Sequence, residues 1–432
     1  MSGILAVEQH EVIRKNYGIL LPEQAGYLLP DKNESTYQIS QHEIVEQVDI
    51  TSATKHFNLK LNFGPYTVKY FRNGRQTLLA GRRGHVATMD WLTKRLLCEF
   101  NAMESIHDVC WLHMPTLFAA AQKDWVHIYD DKGTEIHCLK KLYKVIKMEF
   151  LPYHFLLVTA SDQGFLSWTD TSYGKLISHF RPKKIKRITS LVQNPGNGIV
   201  ISGHSNGVVS MWSPNSQEPA AQMLCHPGAI RDVAVAHDGL KMITLGVDRT
   251  FKLWDVRKFQ LMRSYALKSI GECVDVSQKD CVSIGMGNVV EIFRDSWNKV
   301  IEAPYLRHKC DSFVQNVKFC PFEDVLGIGH QTGFSSILVP GSGEPNFDAF
   351  ESNPFMTNSQ RREMEVKQLL EKIQPELISL DPTMLGKVDM DHLKKTREEK
   401  YKKYRRPQVK KKGPKPSKLF KFSSLSEYMP SQ

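Results

Sequence analysis

The stretch GVDRTFKLWDVR, residues 246–257, gathers Asp248, Arg249, Trp254, Asp255 and Arg257 within twelve positions. Catalytic sites show that density of polar groups, and so do structural turns. Its surroundings decide between the two. A polar turn pair, an alternating strand and a bulky residue recur as RRGHVATMD, QKDWVHIYD, SDQGFLSWTD, HSNGVVSMW, VDRTFKLWD, MGNVVEIFRD and HQTGFSSIL. The bulky residues at the common point are Met89, Tyr129, Trp168, Trp212, Trp254, Phe293 and Leu338, spaced by 40, 39, 44, 42, 39 and 45 residues. Seven units with a period near forty identify a repeat architecture.

Upstream of each turn lie two further strands and downstream a fourth, as in IRDVAVAHDG, KMITLGV, TFKLWD and FQLMRSYA. Four short strands separated by Gly, Asp, Asn and Pro turns make one propeller blade. A blade cannot cover both of its faces alone, so seven of them close into a ring. The expected fold is all-β, a seven-bladed β-propeller over residues 51–357. The segment HFNLKLNF (56–63) alternates Phe57, Leu59 and Leu61 just before blade one, and it is predicted to pair as the outermost strand of blade seven.

Outside the ring, residues 1–50 form an N-terminal arm in which QISQHEIVEQV is weakly amphipathic; it either drapes over another surface or stays free. Residues 358–393 form a helical C-terminal extension. There TNSQRREMEVKQLLEKI sets Val366, Leu369, Leu370 and Ile373 on one stripe, and Thr357 and Gln360 stand in capping-box spacing. The stripe packs either on the propeller or on a partner protein. Pro375 ends or kinks this helix, and Asp381 with Pro382 opens a short second one.

Residues 394–432 form a basic tail too poor in apolar groups to fold alone. From Gly386 to Gln432 there are 15 Lys and Arg against 5 Asp and Glu, so this segment holds +10 of the chain's +11. Lys402, Lys403, Arg405, Arg406, Lys410, Lys411 and Lys412 are candidate RNA-backbone contacts, and Tyr401, Tyr404 and Phe420 are positioned to stack on bases. The same run suits a nuclear address. A second basic patch, RPKKIKR, puts Arg181, Lys183, Lys184, Lys186 and Arg187 between blades three and four. Arg82 and Arg83, in GRRGH, are a weaker candidate.

Composition excludes several classes. No apolar run approaches the roughly 20 residues of a membrane span, and the amino terminus has no leader pattern, so an intracellular protein without a membrane partner is expected. The eight cysteines lack C-x-x-C spacing and the sixteen histidines lack H-E-x-x-H, so no metal site and no cofactor is expected. GNGIVISG and GSGEP lack the spacing of a phosphate-binding loop.

With these residues in place, DRTFKLWDVR resembles the signature of WD-repeat proteins. The span from TSATKHFNLKLNFGPYTVKYF to PELISLDPTMLGKVD is similar to the nucleolar WD-repeat family of the small-subunit processome, associated with the U-three small nucleolar ribonucleoprotein and carrying a distinctive carboxy-terminal domain after the propeller. That resemblance implies a non-catalytic scaffold of ribosome biogenesis in the nucleus and nucleolus, supporting pre-18S rRNA processing, with no small-molecule substrate. Its partners would be other assembly factors, pre-ribosomal RNA and the small nucleolar ribonucleoprotein. It also implies that His226, Thr244, Asp248 and Trp254 form the structural hydrogen-bonded tetrad of such repeats, although HPG replaces the usual Gly-His order. Asp255 and Arg257 leave an alternative: WDVR matches the box by which some WD-repeat proteins resemble substrate receptors of cullin-type ubiquitin ligases. The other use for Arg257 is an ion pair with an acid of a neighbouring blade.

Overall fold

The computed structural model describes residues 26–30, 34–182, 187–347, 351, 356–380 and 397. Seven four-stranded antiparallel sheets form seven blades, and six are continuous in sequence, at 66–101, 108–139, 145–180, 188–224, 230–266 and 273–309. Blade seven takes three strands from 314–338 and its outermost strand, Phe57–Lys60, from the other end of the chain. Phe57 pairs with Ser336, and Lys60 with Gly333. Each of the seven bulky residues that mark the repeat lies in the third strand of its sheet. No helix among the described residues is long and apolar enough to cross a membrane.

The core is a ring of layers between neighbouring sheets. Leu78 and Val86 of blade one meet Val109 and Phe118 of blade two, and Trp168 of blade three meets Trp212 of blade four in one cluster. Trp91, Trp168 and Trp212 are fully enclosed. All eight cysteines are free thiols and seven of them are buried.

Around the central channel, side chains of one innermost strand accept a backbone N–H from the next blade. Asp108 accepts from Met148 (2.8 Å), Asp232 from Val274 (3.0 Å), Asp275 from Phe319 (2.8 Å) and Asn316 from Val68 (3.3 Å). These bonds satisfy backbone donors that no strand reaches. Burial pushes the Asp232 carboxyl up, against the pull of Lys147 and of the Val274 and Val233 amides. Burial also opposes the Lys69 ammonium, yet Glu149 at 2.5 Å and Asp108 raise its pKa above the ordinary lysine value.

The described part of the arm docks on blades six and seven. Helix α1 (Gln41–Gln47) starts with Ser40 and Glu43 in a capping box and buries Ile44 against blade seven. The Gln41 amide both donates to the Leu338 carbonyl (3.0 Å) and accepts from the Leu338 N–H (2.9 Å). A short helix, α2 (Ile50–Ala53), leads into the closing strand. Of the two alternatives for the amphipathic segment, the structure takes the draped one.

Candidate nucleic-acid interface

The two faces of the ring differ in what they carry. One bears the turns between first and second strands and between third and fourth strands; the other bears the second-to-third turns and the connections between blades.

On the first face, residues after blade seven run beneath four blades as a strap. Glu351 pairs with Arg72 of blade one (3.2 Å). Helix α3 (Asn358–Leu370) begins with the Thr357 and Gln360 capping box, and its Glu365 meets His113 of blade two (3.5 Å). The Ile373 N–H donates to the Tyr153 carbonyl of blade three (2.9 Å). Lys372 contacts both Asp170 and Ser172 there. Beyond a 3-10 turn at Pro375–Leu377, Ser213 and Asn215 of blade four donate to the Ile378 and Glu376 carbonyls (3.0 and 2.9 Å). Ile378 is buried in the same cluster as Trp212 and Trp254.

The helix itself buries no residue: Val366, Leu369, Leu370 and Ile373 are 56, 41, 81 and 40% exposed. The propeller therefore does not cover the stripe: the helix meets blade two through Glu365, and polar contacts and Ile378 anchor the strap. The second helix expected at Asp381 and Pro382 lies outside the described residues.

In blade five the structure brings the four tetrad residues together. The Trp254 indole N–H donates to Thr244 Oγ1 (2.9 Å), Thr244 meets His226 Nε2 (2.9 Å), and His226 Nδ1 meets the Asp248 carboxylate (3.0 Å). An indole only donates, so the donors run in order from Trp254 through Thr244 and His226 to Asp248. Burial opposes the Asp248 charge, yet His226 and Thr250 hold its carboxyl below the usual range. Every polar group is used up within the chain of bonds, which makes it a brace with no group free to react. A Cβ on Gly246 would lie 2.4 Å from both His226 Nδ1 and Asp248 Oδ1, so the brace needs glycine there.

Sequence inspection missed a variant of this brace in blade four. Trp212 donates to Ser202 (2.8 Å), which meets His204 Nε2 (3.0 Å). His204 sits at the strand position that Gly246 holds in blade five, so the ring comes from the strand and not from the preceding loop.

Asp255 caps its own turn, accepting from the Arg257 and Lys258 amides (2.9 and 3.3 Å). The Arg257 side chain is 66% exposed and its nearest carboxylate is that same Asp255, at 3.9 Å. The ion pair with a neighbouring blade is replaced by one within the turn.

No metal cluster was expected, but the structure gathers His127, Glu135 and Cys138 with ligand atoms within 4.8 Å of one another. Glu135 addresses His127 Nδ1 (3.3 Å) and Cys138 addresses Nε2 (3.9 Å). His127 Nδ1 makes no hydrogen bond there, so the three side chains form a loose polar cluster. Burial, then Glu135, raises the Cys138 thiol and keeps it protonated.

The second face carries the basic residues. A cavity of about 450 Å³ at the channel mouth is lined by Arg82, Lys123, Lys144, Lys147 and Arg187, with His107 and a single carboxylate, Asp162. Arg187 pairs with Asp162 (2.9 Å). Among the described residues, Arg82, Lys123, Lys144 and Lys147 have no carboxylate within ion-pair distance. Burial lowers the His107 pKa and Arg82 lowers it further, which leaves a neutral ring among the cations. Arg181 is exposed beside the connection between blades three and four. Lys183, Lys184 and Lys186, and all of Lys402, Lys403, Arg405, Arg406, Lys410, Lys411 and Lys412, lie outside the described residues.

Comparison with known proteins adds two family matches and several relatives. The BING4CT (NUC141) domain family matches residues 304–381, and the WD domain, G-beta repeat family matches residues 217–255. The first match bears out the expected family-specific carboxy-terminal domain, and it begins inside blade six. Here that domain is the end of blade six, blade seven and the strap. The chain is 47% identical over 385 residues to WD repeat-containing protein 46 of Caenorhabditis elegans, covering 88% of this chain and 66% of that protein. It is 47% identical over 386 residues to the Homo sapiens protein of the same name, covering 88% and 63%. To U3 small nucleolar RNA-associated protein 7 of Saccharomyces cerevisiae it is 41% identical over 389 residues, covering 86% and 70%. The chain thus spans just under two thirds of the two animal relatives.

Proposed function

The chain belongs to the family of WD repeat-containing protein 46 and U3 small nucleolar RNA-associated protein 7, and on that premise we propose that it is a non-catalytic scaffold of the small-subunit processome. It acts in the nucleolus, supporting pre-18S rRNA processing through contacts with other assembly factors, the U3 small nucleolar ribonucleoprotein and pre-ribosomal RNA. The observation that carries this reading is the 41% identity across 70% of a relative named for its association with that RNA.

Two structural features support it. The polar constellation of blade five is spent on internal bonds, which suits a rigid platform. The strap leaves Val366, Leu369 and Leu370 exposed on a helix held by Glu365 and by Lys372 and Ile373 just after it, a ready surface for another assembly factor.

Depletion tests the proposal. Early cleavages of the 18S precursor should fail and small-subunit yield should fall, whereas normal cleavage and yield would overturn it. Crosslinking to RNA in cells, with and without residues 394–432, then assigns the tail. A collapse of pre-ribosomal crosslinks makes it an RNA contact, and loss of nuclear accumulation alone makes it an address.

A further inference from the structure

We propose that the basic mouth of the central channel, built by Arg82, Lys123, Lys144, Lys147 and Arg187, binds the phosphodiester backbone of single-stranded RNA. The inference rests on the scaffold reading above and gives it a specific site.

The five cations come from the turns and inner strands of blades one to four and converge on one cavity holding a single carboxylate. That carboxylate, Asp162, is engaged by Arg187. Like charges gathered without counter-charges repel, and an anionic ligand removes that cost. Elsewhere in the channel the protein does supply partners, as in Lys69 with Glu149 and Lys318 with Asp275. At the mouth Arg187 is paired with Asp162 and Lys147 acts on Asp232, but among the described residues Arg82, Lys123 and Lys144 are left without a carboxylate at ion-pair distance.

The cations that line the cavity come from one arc of the ring. One backbone hydrogen bond recurs between the second-to-third turn and the connection entering the blade in five of the seven blades, from Arg82 to Pro65, Asp162 to Lys144, Ser205 to Arg187, Val247 to Ala229 and Gln331 to Phe313. It aligns Pro65, Lys144, Arg187, Ala229 and Phe313 as equivalent positions. Lysine and arginine occupy the blade-three and blade-four positions, and apolar residues occupy those of blades five and seven. A ligand is thus guided across blades one to four.

The chemistry of the lining selects the ligand. Pro65, Ile106 and Ile146 are its only apolar members, and Ile106 is buried. An acidic protein segment would find no pocket for the apolar anchors that dominate peptide interfaces. Thr67, Gln315 and Asn316 place neutral polar groups beside the cations, a mixture suited to phosphate and ribose oxygens. A cavity of about 450 Å³ is of nucleotide size, and the neutral His107 ring offers a face for an unpaired base.

The test uses the full chain and a fluorescent oligouridine RNA. R82E/K123E/K144E should bind about tenfold or more weakly at 0.1 M salt, and the slope of log affinity against log salt should shrink by roughly two. R95E/K175E/K258E, with the same charge change on exposed positions of the third-to-fourth hairpins, should bind as the wild type does. Should the first variant not fold, R82Q/K123Q is read instead, with a smaller loss of the same sign. Equal loss in both variants, or none, overturns the proposal. So does polyglutamate binding that depends on the mouth while RNA binding does not. Co-sedimentation with pre-ribosomal particles separates the two readings. A mouth variant that still sediments with particles leaves the scaffold role intact, and a wild-type chain that does not sediment removes it whatever its RNA affinity.

Discussion

Leu59 crosses Gly333 so closely that a Cβ at position 333 would lie 1.9 Å from the Leu59 carbonyl oxygen, and Gly333 has φ +149°. The contact is the seam of the ring, where the closing strand Phe57–Lys60 meets blade seven. Gly333→Ala adds a clash to a conformation that L side chains avoid, and should cost about 2 kcal/mol or more. Gly164→Ala, at φ +83° with nothing within 4 Å of the new Cβ, isolates the backbone cost and should lose about 1 kcal/mol. Urea midpoints compare the two. Equal losses would mean that the seam contributes nothing at Gly333.

The strap is latched by Lys372, whose ammonium reaches the nearly buried Asp170 carboxylate and Ser172. Burial opposes the Asp170 charge, but Lys372 and Ser172 outweigh it and hold the carboxyl below its usual range. Lys372→Ala should weaken the latch by about 2 kcal/mol. Proteolysis within 356–380 should then run roughly 30-fold faster, while the blades stay resistant. The sign with pH follows from the depressed folded-state value. The latch is complete above the unfolded value of about 3.9 and is lost as pH falls through the folded one. Wild-type strap cleavage should therefore rise only in acid, and cleavage of Lys372→Ala should depend less on pH.

Thr244 is the hinge of the blade-five brace, since it meets both Trp254 Nε1 and His226 Nε2 at 2.9 Å. Thr244→Val keeps the shape and orphans two buried groups, for an expected loss of about 2–4 kcal/mol. Thr244→Ser should stay within about 1 kcal/mol of wild type, because it keeps the hydroxyl. Thermal unfolding of both variants checks this. A valine variant as stable as the serine one would show that the brace contributes packing alone.

The fold was legible because its signal repeats: seven bulky residues with polar turns recur at nearly fixed spacing, and the alternation of Phe57, Leu59 and Leu61 marks the closing strand. The brace was legible through the family resemblance, which assigned its four residues between positions 226 and 254. The channel mouth was legible only in part: Arg82 and Arg187 fall in the basic stretches singled out from the sequence, whereas Lys123 is a lone lysine of blade two and Lys144 and Lys147 belong to a lysine-rich stretch, 140–147, that was not singled out. A search for charge runs finds 181–187 instead, and of its described ends Arg187 lines the mouth, already paired with Asp162. Aligning blades by their turns and reading across them is the operation that exposes such a site. The strap was half legible: the capping box declares α3, but Ile378, which anchors the strap, sits between Leu377 and Leu380 in a stretch too short for a period to single it out.

The same column comparison exposes a defect in blade three. Thr244 in blade five and Ser202 in blade four accept the indole N–H of Trp254 and Trp212. The equivalent residue in blade three is Ala160, and the buried Trp168 Nε1 has no hydrogen-bond partner. Ala160→Ser restores an acceptor at that position and should stabilise the protein by about 0.5–1.5 kcal/mol, visible as a higher urea midpoint and slower exchange of the Trp168 indole proton. The gain must depend on the indole. In a Trp168→Phe background the added hydroxyl has no donor to accept from, so the same change should become destabilising by about 1–3 kcal/mol. A double-mutant cycle over the two positions measures the difference. If Ala160→Ser shifts stability equally in both backgrounds, the serine acts through something other than Trp168.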